Sequence, residues 1–510
     1  MSTEVDWQFQ CSRTTCLPFA TVTVSNIENC QVACLAQVNC KALTFYRSTF
    51  SCDLFANISN QNGNLSANTD TVTMIAIDGT RIPLDPTTTS STPSSTTTGS
   101  SSSSSTSSTT TTIATATAAC NFFLNQTTYT VGNGPHPVAV IDVNSDNKPD
   151  IVIANQNGNT VSVLLNAGNG TFNAQSIYTV GGGAYSIAVV DVNSDSKPDI
   201  VVPSQSGNIV CVLLNAGNGT FNTQSTYTVA NGPYSVVVVD VNSDNKPDIV
   251  VAGQSSTIVN VLLNAGNGTF NAQSTYTIAN GASSVTVVDV NNDSKPDVIV
   301  PSQSSSTVSV FLNAGNGTFN AQSIYTVGNG PHPVAVIDVN GDNKPDIVIA
   351  NQNGNTVSVL LNAGNGTFNA QSTYTVGGGA YSIAVVDVNS DSKPDIIVPS
   401  QSGNIVSVLL NAGNGIFNAQ STYTVANGPY SVVVVDVNSD SKSDIVVAGQ
   451  SSNIVTVLIN AGNGTFITQS AYTIPNGASS VAVVDVNNDN QPDIVVPSQS
   501  SNTVSVLLHC

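Results

Sequence analysis

One nine-residue segment, DVNSDNKPD at residues 142–150, recurs seven more times along this chain at intervals of 49 residues. A chain that repeats one motif at so regular an interval folds into repeated units, each of which packs against its neighbours. The segment is rich in Asp, Asn, Ser and Pro, which favour turns, so every copy is predicted to lie in a tight loop. The later copies begin at Asp191, Asp240, Asp289, Asp338, Asp387, Asp436 and Asp485.

Each copy offers oxygen ligands at positions 1, 3, 5 and 9 and a backbone carbonyl at position 7. In the first copy these are Asp142, Asn144, Asp146, Asp150 and the carbonyl of Lys148. Ca²⁺ takes six to eight hard oxygen ligands in flexible geometry, so the spacing predicts up to eight structural calcium sites. The alternative is a set of solvated Asp-rich turns. That alternative does not explain why all 24 Asp of residues 120–510, a segment without Glu, lie inside the eight copies.

The predicted ligands in the other seven copies follow the same positions, with the residue at position 7 contributing its backbone carbonyl. They are Asp191, Asn193, Asp195, Lys197, Asp199, Asp240, Asn242, Asp244, Lys246, Asp248, Asp289, Asn291, Asp293, Lys295, Asp297, Asp338, Asn340, Asp342, Lys344, Asp346, Asp387, Asn389, Asp391, Lys393, Asp395, Asp436, Asn438, Asp440, Lys442, Asp444, Asp485, Asn487, Asp489, Gln491 and Asp493.

The charge of the chain is concentrated in these loops. The formal net charge is −20, and the 24 Asp of residues 120–510 are offset there by seven Lys, all of them inside the loops. Without metal the loops repel themselves, so we expect stability to depend on Ca²⁺. The absence of a basic stripe excludes nucleic acid as a partner. The sequence contains no run of 18 apolar residues, so no membrane span is predicted.

The segment 1–85 holds six of the nine Cys, and it is predicted to be a small disulfide-rich α+β domain. Ser25 and Glu28 suit the start of a helix in which Cys30 and Cys34 share one face. Strands are predicted at 41–46 and 51–55. This order resembles the PAN/apple domain. The resemblance implies the disulfides Cys30–Cys52 and Cys34–Cys40, and leaves Cys11–Cys16. A zinc site is the alternative use of these Cys, but the paired short spacings of a zinc ribbon are missing.

Residues 86–119 consist almost wholly of Ser and Thr, and we predict a mucin-like disordered linker there. A Cys-dense domain, this tract and many Asn-x-Ser/Thr sequons together predict an extracellular or cell-surface glycoprotein. The start of the chain shows no apolar signal-peptide core, which conflicts with that prediction. The composition carries more weight, because three features agree.

Residues 120–510 are predicted to form an all-β, eight-bladed β-propeller of 49-residue, four-stranded blades. In the first copy strand A is 137–143, strand B 150–155, strand C 160–166 and strand D 171–180, by their alternation and Val/Ile content. Four short antiparallel strands per repeat are typical of a propeller blade. A parallel β-helix is the runner-up, but its coils are usually shorter.

The strand, D-x-N-x-D-x-x-P-D loop and following strand resemble the FG-GAP/VCBS repeat, a family that includes integrin α-subunit heads and several lectins. The resemblance covers residues 121–510 and implies Ca²⁺ in the A–B loops. That family often has Gly at loop position 6, where a positive φ is expected. This chain has Asn or Ser there, and Ser tolerates positive φ less well than Asn. We therefore expect weaker calcium affinity in the copies with Ser196, Ser294, Ser392 and Ser441.

The two ends of the repeat segment are predicted to meet. Residues 121–131 match a D strand, and the chain ends on a C strand with no D strand after it. The first strand therefore completes the last blade and closes the ring. Cys120 and Cys510 align two residues apart in the turn between strands C and D, which predicts a disulfide between them. Cys211 is interpreted as an unpaired strand residue. We expect a monomeric propeller.

The propeller end opposite the Asp loops is the predicted recognition surface. Its D–A loops present the predicted ligand-binding residues His136, Tyr185, Tyr234, His332, Tyr381 and Tyr430, and its B–C loops each carry one Gln. An uncharged surface of Tyr, His, Gln, Asn and Ser suits a glycan or a protein ligand. Packing between blades is the alternative role of the Tyr and His, and loop-capping hydrogen bonds are the favoured role of the Gln. Six Asn-Gly-Thr sequons lie in the C–D turns at the opposite end.

The segment is predicted to be non-enzymatic. Its three His and the absence of carboxylates outside the Asp loops leave no acid–base pair. The function we infer is calcium-dependent extracellular recognition or adhesion. The alternatives are a structural secreted or surface protein without a specific ligand, and a polysaccharide-active enzyme.

Removal of calcium by a chelator is expected to lower the melting temperature of the propeller. Each independent site that is tenfold saturated would contribute about 1.4 kcal/mol to the free energy of unfolding. The measurement is thermal melting with and without EDTA, followed by readdition of Ca²⁺ as the control. A melting temperature that EDTA leaves unchanged would contradict the calcium sites.

Overall fold

The computed structural model describes residues 122–510, apart from residues 125, 272, 273 and 280, together with six short strands between residues 7 and 76. The helix predicted at 25–34 and the Ser/Thr-rich linker lie outside the described residues, and so does at least one Cys of each predicted N-terminal disulfide. The described part of the chain contains no helix of the length and apolarity needed to cross a membrane.

The six N-terminal strands form two antiparallel sheets. One sheet pairs the first strand with the fifth, and the other has the order second, fourth, third, sixth. The two strands predicted in this part of the chain, at 41–46 and 51–55, are the third and fourth strands, and both are confirmed. The six strands are Trp7–Gln10, Ala20–Thr23, Ala42–Tyr46, Ser51–Phe55, Asn64–Ala67 and Val72–Ala76.

The repeat segment forms an eight-bladed propeller, as predicted. Each blade is a four-stranded sheet in which A pairs with B, B with C and C with D. The A strands of blades 1 to 8 are Pro135–Ile141, Ala188–Val190, Pro233–Val239, Thr286–Val288, Pro331–Ile337, Ala384–Val386, Pro429–Val435 and Ala482–Val484. The B strands are Asp150–Asn155, Asp199–Ser204, Asp248–Gly253, Asp297–Ser302, Asp346–Asn351, Asp395–Ser400, Asp444–Gly449 and Asp493–Ser498.

The C and D strands complete each sheet. The C strands are Thr160–Leu164, Ile209–Leu213, Ile258–Leu262, Thr307–Phe311, Thr356–Leu360, Ile405–Leu409, Ile454–Asn460 and Thr503–Leu507. The D strands are Ser176–Thr179, Ser225–Thr228, Ser274–Thr277, Ser323–Thr326, Ser372–Thr375, Ser421–Thr424 and Phe466–Thr473, and the D strand of blade 8 is Thr127–Thr130.

Closure of the ring by the first strand is confirmed. Thr127–Thr130 pairs antiparallel with the C strand of blade 8, and Leu124 N donates a hydrogen bond to Leu508 O. The A strands of neighbouring blades contact one another around the whole ring. The A strand of blade 8 contacts the A strand of blade 1. Cys510 is disulfide-bonded, while Cys120 lies outside the described residues, so their pairing stays a prediction. Cys211 is free and buried, as predicted.

The predicted D strand is wrong in one respect, because it is interrupted in most blades. In blade 1 the residues Thr171–Phe172 pair with Asn166–Gly168 in a small separate hairpin, and the D strand proper starts at Ser176. The register shifts between Asn166 and Gly168, and Gly168 has φ of 92°. This bulge turns the chain out of the blade sheet. Corresponding hairpins are Asn215–Gly217 with Thr220–Phe221, Asn264–Gly266 with Thr269–Phe270, Asn362–Gly364 with Thr367–Phe368, and Asn411–Gly413 with Ile416–Phe417.

The hydrophobic core lies between the blades. Eight clusters of buried side chains each join two adjacent blades, and the cluster between blades 8 and 1 completes the ring. The alternation of each strand explains this position, because both faces of a blade sheet carry Val, Ile or Leu. In the B strand of blade 1, for example, Val152 packs toward blade 2 and Ile151 toward blade 8. No blade can therefore bury its core alone.

An aromatic pair joins every pair of neighbouring blades near the outer edge. In the first of them the D-strand Tyr129 lies edge-to-face on Phe172 with ring centroids 5.6 Å apart, and Tyr129 Oη accepts a hydrogen bond from Phe172 N. Such pairs contribute about 0.5–1.5 kcal/mol beyond the burial of area. The remaining seven pairs are Tyr178–Phe221, Tyr227–Phe270, Tyr276–Phe319, Tyr325–Phe368, Tyr374–Phe417, Tyr423–Phe466 and Tyr472–Phe123.

A buried polar junction repeats at the end where the Asp loops lie. Asp150, at position 9 of the loop, accepts hydrogen bonds from Val143 N at 2.9 Å and Asn166 N at 2.7 Å. The amide of Asn166, just past the C strand, donates to Pro149 O in its own loop and to Val486 O in the loop of the preceding blade. One junction therefore ties strand B, strand C and the neighbouring blade together.

The junction of blade 8 differs from the others in one residue. His509 stands where the other seven blades have Asn, and its backbone N keeps the bond to Asp493 at 2.7 Å. Neither imidazole nitrogen of His509 has a hydrogen-bond partner among the described residues. By the repeat, an Asn side chain here would reach the carbonyls of Pro492 and Val437. Among the eight junctions, the one in blade 8, which closes the ring, therefore lacks the two side-chain hydrogen bonds that Asn makes in the others.

The substitution His509→Asn is expected to stabilise the propeller by about 1–2 kcal/mol, because it restores two hydrogen bonds between buried groups. The measurement is chemical denaturation of the whole chain. The matched control is Asn460→His in blade 7, which removes the same bonds and is expected to destabilise. Equal stability of His509→Asn and the parent chain would contradict this account.

The substitution Asp150→Asn is expected to destabilise by about 3 kcal/mol in the presence of chelator, because its amide cannot accept both buried N–H groups. The matched control is Asp146→Asn in the same loop. Asp146 is partly exposed and pairs with Lys148 at 3.1 Å, so its loss should change the free energy of unfolding by less than about 1 kcal/mol. Similar losses in the two variants would show that the junction is not what stabilises the blade.

Candidate functional site

The backbone of each Asp loop takes the left-handed conformation twice. Position 6 has positive φ in every copy, as expected, with 61° at Asn147 and 65° at Ser196. Position 4 also has positive φ, 64° at Ser145, which sequence reasoning missed. The one Gly among the eight residues at position 4, Gly341 with φ of 79°, was the available signal. A positive φ is unfavourable for residues other than Gly and Asn, such as Ser. The loop therefore needs additional contacts to hold this backbone conformation, and its side chains provide them.

The carboxylate at position 1 holds the loop. Asp142 Oδ1 accepts hydrogen bonds from the backbone N–H of Asn144, Ser145 and Asp146, and its Oδ2 accepts one from Asn147 at 2.7 Å. Asn144 Oδ1 accepts from Asp146 N, and the Asp146 carboxylate pairs with Lys148. The predicted ligands at positions 1, 3 and 5 thus share one small loop, where each already accepts backbone hydrogen bonds.

The carboxylate at position 9 lies deeper. Asp150 is fully buried, and burial raises its pKa to about 6, against the two backbone hydrogen bonds that favour its charged form. The negative charges of Asp142 and Asp146 raise the pKa of Asp150 further, because a nearby like charge disfavours the ionised form. Burial has the same effect on the pKa of the seven matching Asp.

The donor set of the Asp loop fits Ca²⁺ by its chemistry, since every candidate ligand atom is a hard oxygen. In the part of the chain that the structure describes, however, no three His, Cys, Asp or Glu side chains converge as metal ligands do. The carboxylates of Asp142 and Asp150 are turned to backbone N–H groups instead. The eight calcium sites stay a prediction, and the loops also have a structural role through the hydrogen bonds that Asp142 and Asp150 accept.

At the opposite end of the propeller, six predicted ligand-binding side chains meet in a closed ring of contacts, which we call the aromatic ring. Tyr185 and Tyr234 stack with centroids 4.6 Å apart, and Tyr381 and Tyr430 do the same. The two His close the ring by edge-to-face contacts. His136 contacts Tyr185 at 5.8 Å and Tyr430 at 5.9 Å, while His332 contacts Tyr381 at 5.8 Å and Tyr234 at 6.3 Å.

The aromatic ring has two-fold pseudosymmetry. Residues 196 apart occupy equivalent places, because blades 1 to 4 reappear as blades 5 to 8. Blades 4 and 8 contribute the small residues Ser283 and Ser479, which are buried and donate hydrogen bonds to the carbonyls of Pro331 and Pro135. These two blades supply no aromatic side chain. His136 therefore contacts Tyr430 across blade 8, and His332 contacts Tyr234 across blade 4.

The surroundings of the aromatic ring favour neutral side chains. Burial lowers the pKa of His136 and of His332 to about 4, and for His332 the nearby His136 adds to this effect. Burial raises the pKa of Tyr234 to about 12. The Nδ1 atoms of both His are buried and have no hydrogen-bond partner among the described residues. Both imidazoles are therefore uncharged at neutral pH.

The eight Gln of the B–C loops lie beside the aromatic ring. Their backbone N–H groups cap the D–A loops, as in Gln156 N to Gly134 O at 2.8 Å. Their side chains do not cap loops, contrary to the favoured interpretation, and instead link neighbouring blades in four pairs. Gln499 donates to Gln156 Oε1 at 2.7 Å, and Gln156 donates to the hydroxyl of Tyr185. The other pairs are Gln205–Gln254, Gln303–Gln352 and Gln401–Gln450.

The two ends of the propeller differ completely in charge. The D–A and B–C loops contain no Asp, Glu, Lys or Arg, and we call the surface that they form the uncharged end. All 24 Asp and seven Lys of the segment lie at the Asp-loop end. The six Asn-Gly-Thr sequons also lie there, on exposed C–D turns beside the loops: a Cβ added to Gly168 would lie 3.7 Å from Lys148 Cε.

Comparison with known proteins identifies both parts of the chain. The model of the FG-GAP-like repeat matches seven times, at residues 142–202, 191–251, 240–300, 289–349, 338–398, 387–447 and 436–496. The PAN domain model matches residues 9–76. No curated protein matches the chain. Proteins with these two domains are typically extracellular and non-enzymatic.

Three solved structures illustrate a distant resemblance to the chain. An Agrocybe aegerita lectin, described as recognising non-reducing terminal N-acetylglucosamine, has 20% identity and a TM-score of 0.41 over 69% of this chain and 94% of its own. A virginiamycin B lyase from Staphylococcus aureus has 12% identity and a TM-score of 0.41 over 64% and 94%. A Lactobacillus plantarum protein has 13% identity and a TM-score of 0.44 over 69% and 98%. Likenesses this weak carry no functional argument.

The seven repeat matches together span residues 142–496, well over half of the chain, and coincide with the blades. The chain therefore belongs to the FG-GAP-like repeat family and carries a PAN domain at its N-terminus.

Proposed function

We propose that this chain is an extracellular recognition or adhesion protein whose propeller binds a neutral, hydroxyl-rich ligand, such as a glycan, at the uncharged end. The observation that carries the proposal is the aromatic ring. Six aromatic side chains from six blades converge beside eight Gln on a surface without charge. Aromatic faces pack on the apolar faces of sugars, and amides pair with hydroxyl groups, so this composition suits a carbohydrate better than a charged ligand.

The distribution of N-glycosylation sequons also supports ligand binding at the uncharged end. Asn169 and its five equivalents are exposed at the Asp-loop end, where glycans would cover the surface around the loops. The uncharged end has no sequon in its D–A or B–C loops. A ligand therefore has free access to the aromatic ring, while the other end is shielded.

Calcium enters the proposal as a structural ion. Ca²⁺ bound by the Asp loops would neutralise most of the charge of −17 that the 24 Asp and seven Lys leave at that end. The loops join strands A and B of every blade and lie far along the strands from the uncharged end. Loss of Ca²⁺ would act on ligand binding through the stability of the blades and not through direct contact.

The test is a glycan array probed with the intact chain, with and without Ca²⁺. Binding is expected for the parent chain, and at least a tenfold loss is expected for the double variant Tyr185→Ala plus Tyr381→Ala, because it removes one ring from each stacked pair. An array without any signal would instead favour a structural protein that lacks a specific glycan ligand.

The matched control is the double variant Ile177→Ala plus Ile324→Ala. These side chains are 56% and 54% exposed on D strands of blades 1 and 4, away from the aromatic ring. They should leave binding unchanged. Loss of binding in this control would place the ligand elsewhere on the chain. Binding that survives Tyr185→Ala plus Tyr381→Ala would lead to the same conclusion.

A further inference from the structure

We propose that the aromatic ring is gated by protons: protonation of His136 and His332 opens the ring and weakens ligand binding at the uncharged end. The opening itself does not depend on any ligand. Its consequence for binding rests on the proposed function.

The geometry makes the two His the vulnerable members of the ring. Each of the two His links one stacked Tyr pair to the other, so among the described residues the aromatic contacts close the ring through His136 and His332. Both imidazoles are partly exposed, so protons and water can reach them. Their Nδ1 atoms are nevertheless buried without a partner among the described residues. A protonated imidazole would hold an N–H donor there with no acceptor, which is costly in a buried site.

No carboxylate lies near the ring to compensate the new charge. His136 faces Tyr185 and Tyr430, and His332 faces Tyr234 and Tyr381. The adjoining Gln, Ser, Asn and Gly of the D–A and B–C loops are uncharged, and every carboxylate of the propeller lies at the other end. The two His are also close enough to influence each other, so the second proton is repelled by the first.

The direction of the pH effect follows from the neutral state of the closed ring. Burial lowers the pKa of both His from the ordinary 6.5 to about 4. An opened ring, in which water surrounds the imidazoles, binds protons near the ordinary value. The closed ring is therefore fully favoured above pH 6.5, and it loses stability relative to the open ring as the pH falls from 6.5 towards 4.

The test is an NMR titration of the whole chain labelled with ¹³C-histidine, combined with near-ultraviolet circular dichroism of the Tyr side chains. The chain has three His, so the variant His509→Asn assigns the third signal and leaves His136 and His332. Both signals are expected to stay unchanged from pH 8 to about pH 5 and then to titrate together, with a simultaneous change of the Tyr signal. Far-ultraviolet circular dichroism must stay constant over that range, as a control for unfolding.

Three results would overturn the gate: titration of either His near pH 6.5, titration without a change in the Tyr signal, or no titration above pH 3.5. The variant His136→Tyr plus His332→Tyr uses the residue that blades 2, 3, 6 and 7 carry here, and it should keep its Tyr signal constant down to pH 4. If that variant fails to fold, His136→Ser plus His332→Ser, which copies the residue of blades 4 and 8, should show no pH-dependent step in the Tyr signal.

The consequence for binding is measured with a glycan that the array identifies. The parent chain is expected to bind this glycan about tenfold more weakly at pH 4.5 than at pH 7. The variant His136→Tyr plus His332→Tyr should bind it with the same affinity at both pH values. Equal binding by the parent chain at both values would overturn this part. A blank array combined with the expected titration would reject the proposed function and leave the gate standing.

Discussion

The propeller depends on one buried junction that is repeated around the ring. The carboxylate of Asp150 holds the start of strand B against the end of strand C, and the amide of Asn166 links both to the loop of the preceding blade. Because a blade buries its apolar faces only against its neighbours, the contacts that fix blade to blade also create the core. The Asp loops are therefore structural parts of the ring, whether or not they hold an ion.

The second organising constraint is the departure from eight-fold symmetry. Eight aromatic side chains in equivalent positions would crowd the centre of the uncharged end. Ser283 and Ser479 in blades 4 and 8 free the space across which each His contacts a Tyr two blades away. The duplication of four blades thus produced a two-fold aromatic ring on an eight-fold frame. Charge and sequons were kept at the other end, which leaves the aromatic ring as the distinctive feature of an otherwise uniform surface.

Much of the fold could be predicted because local rules act independently in each repeat. The B strand at 150–155 was predicted to the residue, since it runs without interruption from the loop Asp to a polar turn. Closure by residues 127–130 followed from counting strands. The interruption of the D strand after Phe172 was missed because the bulge at Gly168 arises from hydrogen bonds to Asn166. That Asn recurs in seven blades, so its spacing was a signal that could have been recognised.

The sequence by itself determined the eight blades, their closure and the segregation of charge, because a 49-residue period, strand alternation and turn residues act over short stretches of chain. It also identified His136, Tyr185 and their equivalents as neighbours at one end. Only the tertiary structure decided that these side chains contact one another, that Asp150 is buried beneath its loop, and that the Gln pair between blades. Those contacts join residues tens to hundreds of positions apart, and their geometry exists only once the ring has closed.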